Sequence, residues 1–458
     1  MSENQTVHES WSSRTAFLLS AIGFAVGLGN IWRFPYIAGE NGGGAFVIIY
    51  LVVVFAIGAP LVAAELLIGR RGRMSPIAAV RRAAMEAGAS GAWGIVGVLA
   101  LVATFAILTF YAVVAGWAMD YLWRSVVGGF KGLTADQSKA MFDGLLASPW
   151  RLALWQGIVL ALTAFITSRG LARGIERASF VLMPLLFAIL IVLAIYSATT
   201  SGFGRAVEFL FVPNFAEVTP RTFLVAIGQA FFSVGVAMGG MMTYGAYMPK
   251  TIKVPASALT IVSADTLVAI VAGLAIFPIV FANGLAPGEG TGLVFQTLPL
   301  AFSVMPFGGV AAILFFLLLV SAALTSTVAN FEPLLSWAEE HRGIRRKYAA
   351  MIFAALIFAV GAGSVLSFNV LSGFHPLGFI KLFEGMTIYA ATDFIASNVL
   401  LPVGALFTAI FAGWVMKRSA TLEELDLADG AIFRAWRFLI RFVAPVAIVV
   451  LLYFAFAK

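Results

Sequence analysis

The chain has 458 residues, 61% of them hydrophobic and 11% charged, with a net charge of +7 and no cysteine. A soluble globular protein is about 45–50% apolar and about 25% charged, so the composition excludes a soluble enzyme, a disordered chain and a disulfide-rich secreted domain. It fits a polytopic helical membrane protein, because a spanning helix needs about 20 apolar residues.

Residues 1–13 are polar, carry Glu3, His8 and Glu9, and lack the basic start of a signal peptide, so they read as a cytoplasmic tail. Apolar runs bounded by charge, Pro or Gly then predict eleven spans, at 15–38, 42–69, 93–123, 150–169, 177–199, 222–248, 255–284, 305–337, 348–368, 386–416 and 435–457. With the N-terminus inside, twenty of the 29 Lys and Arg fall on the cytoplasmic side and eight outside, while Arg33 lies within a span. That bias follows the positive-inside rule. It predicts an integral membrane protein with its C-terminus outside, and it explains the net charge without nucleic acid.

Two spans are not simple cylinders. The first holds Gly23, Gly27, Gly29, Asn30, Arg33 and Pro35 within thirteen residues, and the sixth holds Gly235, Gly239 and Gly240 after Gln229 and Ser233. Gly and Pro release backbone groups that lipid cannot satisfy but a protein-lined cavity can. Broken segments five spans apart suit an inverted repeat of 14–221 against 222–416, with 417–458 carrying the eleventh span. Close helix packing of the GxxxG type accounts for the same glycines equally well.

Charge inside a span costs about 2.5–3.5 kcal/mol even on a lenient insertion scale. Arg33 and Asp393 sit near outer ends, where snorkelling competes with a gating role, and Glu65 near an inner end suits a structural hydrogen bond. Asp265 lies about ten residues into span seven with no basic residue nearby, so it is either protonated or faces a cation. In span eight, Ala322, Thr325 and Ser326 share one helix face. Hydroxyls there suit a hard cation, although Ser and Thr in helices usually bond back to their own carbonyls. No metalloprotease, nucleophile-elbow or phosphate-loop motif is present, which argues against an enzyme.

The stretch GFAVGLGNIWRFPYIAGENGGGAF at 23–46 resembles the neurotransmitter:sodium symporter family, whose bacterial members have the LeuT-type fold. The likeness continues through GQAFFSVGVAMGGMMTYGAY (228–247), AGLAIFP (272–278), SAALTSTVANFEP (321–333) and DFIASNVLLPVG (393–404), and so covers almost the whole chain. It implies an all-α protein with a 5+5 inverted repeat and unwound first and sixth helices. The activity implied is sodium-coupled uptake of an amino acid across the bacterial inner membrane, among membrane lipids, with the oligomeric state left open and a monomer sufficient.

By that resemblance the substrate carboxylate meets the backbone at Leu28 and Gly29 and the hydroxyl of Tyr111. Its amine meets carbonyls of Ala25, Phe232 and Ser233, and Phe24, Ile107, Gly235, Met238, Ser326 and Asn330 complete the pocket. A first sodium site is implied at Ala25, Asn30, Ser233 and Asp265, sharing the substrate carboxylate. A second is implied at Gly23, Val26, Ala322, Thr325 and Ser326. The outer gate is implied at Arg33 and Asp393, the inner at Trp11 and Glu340 (or Glu339).

Four departures from the family pattern carry information. Gly27 replaces the aspartate of monoamine carriers, so the ligand must bring its own acid group. Asp265 replaces the asparagine of chloride-dependent members, and Ala269 their serine, while Tyr50, Gln229 and Ser233 match; a fixed carboxylate then stands in for chloride. Gly235 and Asn330 lean towards a small polar or ω-amino acid resembling GABA, β-alanine or taurine, with hydrophobic or aromatic amino acids as the alternative. His8 stands at the inner-gate arginine position, which implies a pH-sensitive gate. A rival of another class is an ion channel, since carbonyl-lined cavities also build filters.

Overall fold

The computed structural model describes residues 9–285 and 292–456, which fold almost wholly into helices. Nine of these are long and apolar enough to cross a bilayer: Gly44–Gly72, Gly91–Val126, Pro149–Thr167, Leu171–Ala198, Val254–Ala282, Gly308–Arg342, Arg346–Leu366, Ile388–Val415 and Ala431–Phe456. They correspond to expected spans two to five and seven to eleven. The pair Arg14–Ala25 and Gly29–Glu40, bent by 49° at its break, makes the tenth and corresponds to span one. Expected span six is two helices, Pro220–Val234 and Gly240–Ala246, each too short to cross alone.

Local chemistry sets several of these ends. The first half of span six opens on Pro220 in its first turn, where a missing N–H costs nothing, behind a Thr219–Thr222 capping box. Span five begins at Leu171, six residues before its expected start, because a π-helical turn over Leu171–Glu176 follows Gly170 (φ 82°). Arg173 and Glu176 mask that turn in a hydropathy reading.

Burial separates an inner from an outer ring. In spans two, three, seven and eight at least 67% of the most apolar window is buried, against 33% or less in spans four, five, nine and eleven. The first group encloses the two broken spans and the second faces lipid. Buried ion pairs tie the ends together. Asp120 accepts from Arg124 and Arg151, both at 2.6 Å, and from the Trp155 indole at 2.8 Å. Arg70 at the end of span two pairs with Glu424 at 2.7 Å and donates to the Ile252 carbonyl at 2.7 Å.

Candidate functional site

Span one leaves the helix at Val26, whose ψ of 102° is extended, and resumes at Gly29. Within the break, the Gly27 N–H donates to Asn30 Oδ1 at 3.0 Å and the Leu28 N–H to the Tyr111 hydroxyl at 3.2 Å. Span six breaks through three left-handed residues, Gly235 (φ 67°), Ala237 (φ 66°) and Gly239 (φ 74°). Ala237 has no glycine freedom, and a non-glycine there costs about 1–2 kcal/mol. Its N–H donates to Glu65 Oε1 at 2.6 Å, which offsets that strain and gives the span-two carboxylate the structural bond expected of it. The Phe24 ring wedges the two breaks together. A Cβ added at Gly235 would lie 2.6 Å from its Cε1, and one at Gly240 2.5 Å from its Cζ.

Asp265 is fully buried and joins no ion pair among the described residues. Its Oδ1 accepts from Asn30 Nδ2 at 2.7 Å and its Oδ2 from Ser233 Oγ at 2.8 Å, with the Tyr50 hydroxyl at 3.4 Å. Asn30 Nδ2 also lies 3.0 Å from Ser233 Oγ. Spans one, two, six and seven therefore meet on one carboxylate. Gln229 is not part of that contact: its Nε2 donates to the Gly29 carbonyl at 3.0 Å.

A second oxygen-rich cluster joins spans one and eight. Ser326 Oγ lies 3.4, 3.3 and 3.3 Å from the carbonyl oxygens of Gly23, Phe24 and Val26. Thr325 Oγ1 bonds back to the carbonyls of Ser321 and Ala322 at 3.1 and 3.0 Å. A Cβ at Gly23 would sit 3.0 Å from the Met183 sulfur and 3.3 Å from Thr325 Cβ, so span five closes this cluster from behind.

Between the clusters lies a cavity of about 20 Å³, bordered by Phe24, Ile107, Tyr111, Phe232, Met238 and Asn330. It meets a larger one of about 200 Å³ that reaches Arg33, Tyr389 and Asp393, with Gly29, Tyr111 and Phe232 bordering both. Gly27 keeps the polar end open, since a Cβ there would lie 2.6 Å from Ser326 Oγ and 2.9 Å from the Tyr111 hydroxyl. The Asn330 amide, expected to meet substrate, is engaged elsewhere: its oxygen accepts from Thr104 Oγ1 at 2.8 Å and its nitrogen donates to the Ser326 carbonyl at 2.9 Å.

Comparison with known proteins decides the family. The sodium:neurotransmitter symporter family matches residues 8–134 and 142–458. The chain is 38% identical over 453 residues to the uncharacterized sodium-dependent transporter YhdH of Bacillus subtilis, covering 98% of each. It belongs to the sodium:neurotransmitter symporter family. A second relative, an uncharacterized sodium-dependent transporter of Haemophilus influenzae, is 32% identical over 98% of this chain and 99% of its own. The crystal structure of MhsT in complex with L-phenylalanine superimposes with a TM-score of 0.89 at 41% identity, covering 98% of this chain and all of that one. The protein is thus a sodium-dependent symporter with the LeuT-type fold.

Placed on this symporter, the expected gates need correction. No ion pair joins Arg33 to Asp393 among the described residues. The Arg33 guanidinium stacks 4.4 Å from the centroid of Phe232, Asp393 accepts from Ser397 at 3.0 Å, and the two line the same cavity. Each has found a nearer partner, an aromatic face for the cation and a hydroxyl one helical turn away for the carboxylate.

His8 lies outside the described residues. Glu340 does not turn towards the N-terminal tail: both its oxygens accept the Ser75 N–H, at 2.9 and 2.8 Å, at the start of helix Pro76–Glu86. Trp11 is buried, with its indole N–H on the Tyr244 carbonyl at 2.9 Å.

The cation at the centre of this cluster is Arg346, at the start of span nine. It pairs with buried Glu332, with Glu339 at 3.1 Å and with Glu9 at 3.8 Å, and its Nε donates to the Thr167 carbonyl at 2.7 Å. Tyr247 adds a hydroxyl to Glu332 at 2.8 Å. Burial pushes the Glu9 carboxyl above the usual carboxylate range, with Arg346 opposing. The tail is held further by Glu176, which accepts from the Ser12 N–H at 2.8 Å and hydroxyl at 2.6 Å. Sequence reading missed Arg346 because it sits in the Arg342–Lys347 cluster that marks topology. Glu332, a carboxylate inside a span, was the signal that could have found it.

Proposed function

We propose that this symporter takes up a neutral amino acid with an apolar side chain, together with two sodium ions, by alternating access and without chloride. The observation that carries this reading is the polarity of the central cavity. One end offers the Leu28 N–H, the Tyr111 hydroxyl and the space left by Gly27, which suit a carboxylate at a half-helix N-terminus. The other end is Phe24, Ile107, Phe232 and Met238. The expectation of a polar or ω-amino acid rests on Gly235 and Asn330. The first makes room for Phe24 rather than for ligand, and the second spends its amide on Thr104 and Ser326. The likeness to MhsT, solved with L-phenylalanine, supports the same class.

In this reading one sodium ion sits with Ala25, Asn30, Ser233, Asp265 and the substrate carboxylate. The other sits with Gly23, Val26, Ala322, Thr325 and Ser326. An anion shared between ion and substrate makes each bind better in the presence of the other, which is the source of coupling. Asp265, beside Tyr50 and Ser233, supplies the fixed charge that replaces chloride. The halves 14–221 and 222–416 act as inverted repeats, and the basic bias places the N-terminus in the cytoplasm and the C-terminus outside the inner membrane. The Arg346 cluster on one side of the cavity, with Arg33 and Asp393 unpaired on the other, is the asymmetry of alternating access and separates this reading from a channel.

Uptake into proteoliposomes tests it. An inward sodium gradient should drive saturable accumulation of L-phenylalanine or L-leucine, and potassium should not replace sodium. Accumulation of GABA, β-alanine or taurine with no competition from phenylalanine would return the reading to the ω-amino acids.

A further inference from the structure

An apolar groove outside the central cavity lies between two lipid-facing helices, spans four and nine. It has a volume of about 370 Å³ and is lined by Ala161, Ala164, Phe165, Met351 and Ala354. Three alanines open it, since larger side chains at those positions would fill it. It runs from Ser168 and Lys347 at one end to Ala161 and Ala354 at the other, which is about 10 Å along the helices. An apolar slot of this depth, open to the bilayer, suits hydrocarbon rather than a solvated polar solute.

Its shallow end is cationic. Lys347 and Ser168 line it, and the Arg169 guanidinium stacks 3.9 Å above the ring of Phe165, which lines the groove. Arg345 adds a third exposed cation one residue outside span nine. Arg169, Arg345 and Lys347 take part in no ion pair among the described residues, whereas Arg346 between the last two is held by Glu332 and Glu339. Unpaired cations at the membrane boundary above an apolar slot complement one class of molecule, an acyl chain that carries a negative headgroup.

We propose that this groove is a binding site for an anionic phospholipid. One acyl chain lies between spans four and nine, and the headgroup phosphate rests on Lys347, Arg169 and the Ser168 hydroxyl, on the face assigned above to the cytoplasm. The site adjoins the inner closure directly. Thr167, whose carbonyl holds Arg346, precedes Ser168, and Arg346 precedes Lys347. A seated headgroup therefore buttresses the same two backbone turns that hold Arg346 against Glu332.

Native mass spectrometry of the full-length protein, released from nanodiscs of phosphatidylglycerol and phosphatidylcholine in equal amounts, tests the site. The wild type should retain phosphatidylglycerol preferentially. Arg169→Gln and Lys347→Gln should each weaken that preference about fivefold, the worth of one cation near an anionic surface. Ala161→Trp, which fills the slot and leaves the charges in place, should abolish retention. Equal retention of the two lipids by the wild type would overturn the proposal, and so would an undiminished preference in the double cation variant or unchanged retention in Ala161→Trp. The wild-type comparison stands even where a variant fails to fold. Because retention is read without transport, its outcome is independent of the substrate assignment.

Discussion

The amide nitrogen of Asn30 in span one donates both to the Asp265 carboxylate at 2.7 Å and to the Asp265 backbone carbonyl at 3.0 Å. The break in span one is thereby pinned to a buried negative charge from span seven. No cationic side chain pairs with that carboxylate among the described residues, so a bound ion or a proton is needed to balance it.

Asp265→Asn removes the charge and keeps the shape. Uptake by the wild type should be unchanged when gluconate replaces chloride. The variant should lose about tenfold or more of its apparent sodium affinity in gluconate, equivalent to about 1.4 kcal/mol, and recover part of it in chloride. Chloride stimulation of the wild type would refute the assignment.

Glu65→Ala strands the Ala237 N–H in the break of span six. A buried donor left without a partner costs about 1–3 kcal/mol, so the melting temperature in detergent should fall and uptake should be lost. Glu65→Gln keeps an acceptor oxygen and should retain most of the stability. Equal melting of the two variants would show that Glu65 does not hold the break.

Substitution at Gly235 tests what that glycine is for. Gly235→Ser places a Cβ against the Phe24 ring and imposes the left-handed conformation on a non-glycine residue, a strain of about 1–3 kcal/mol. Competition by L-phenylalanine should weaken while the sodium dependence persists. Improved phenylalanine competition would show that the site has spare room there.

The tail clamp should respond to pH through Glu9. Its carboxyl is raised in the folded protein, so its contribution to docking is full below the ordinary carboxylate range and is lost as pH rises through the raised value. The Trp11 backbone N–H bonds to the Tyr247 carbonyl at 3.2 Å while the tail is docked, so its hydrogen-exchange protection, taken relative to the intrinsic rate at each pH, reports tail release. Protection should fall as pH rises, and Glu9→Gln should flatten that dependence. An unaltered profile in Glu9→Gln would assign the effect to another group.

Most of the fold is legible in the sequence because lipid demands about 20 apolar residues for each crossing, and the glycines at 23–29 and 235–240 mark where two crossings fail. Other features depend on directions that composition does not encode. Asn330 reads as a polar handle until its rotamer sets it on Thr104. Arg346 is one of four basic residues between 342 and 347, and only its position opposite Glu332 distinguishes it from Lys347 beside it. Glu340 and Glu339 are equivalent in sequence, yet one caps the helix after Ser75 and the other joins Arg346. The Arg33–Asp393 pairing is a matter of conformation, which residue identity cannot specify.

The ring of Phe24 acts as a gear tooth. It is carried by one half of the molecule and meshed into two notches, Gly235 and Gly240, of the other. In the alternating access proposed above, a swing of the first broken helix would carry the elbow of the sixth with it, and that synchrony would rest on a side chain that no ion has to touch.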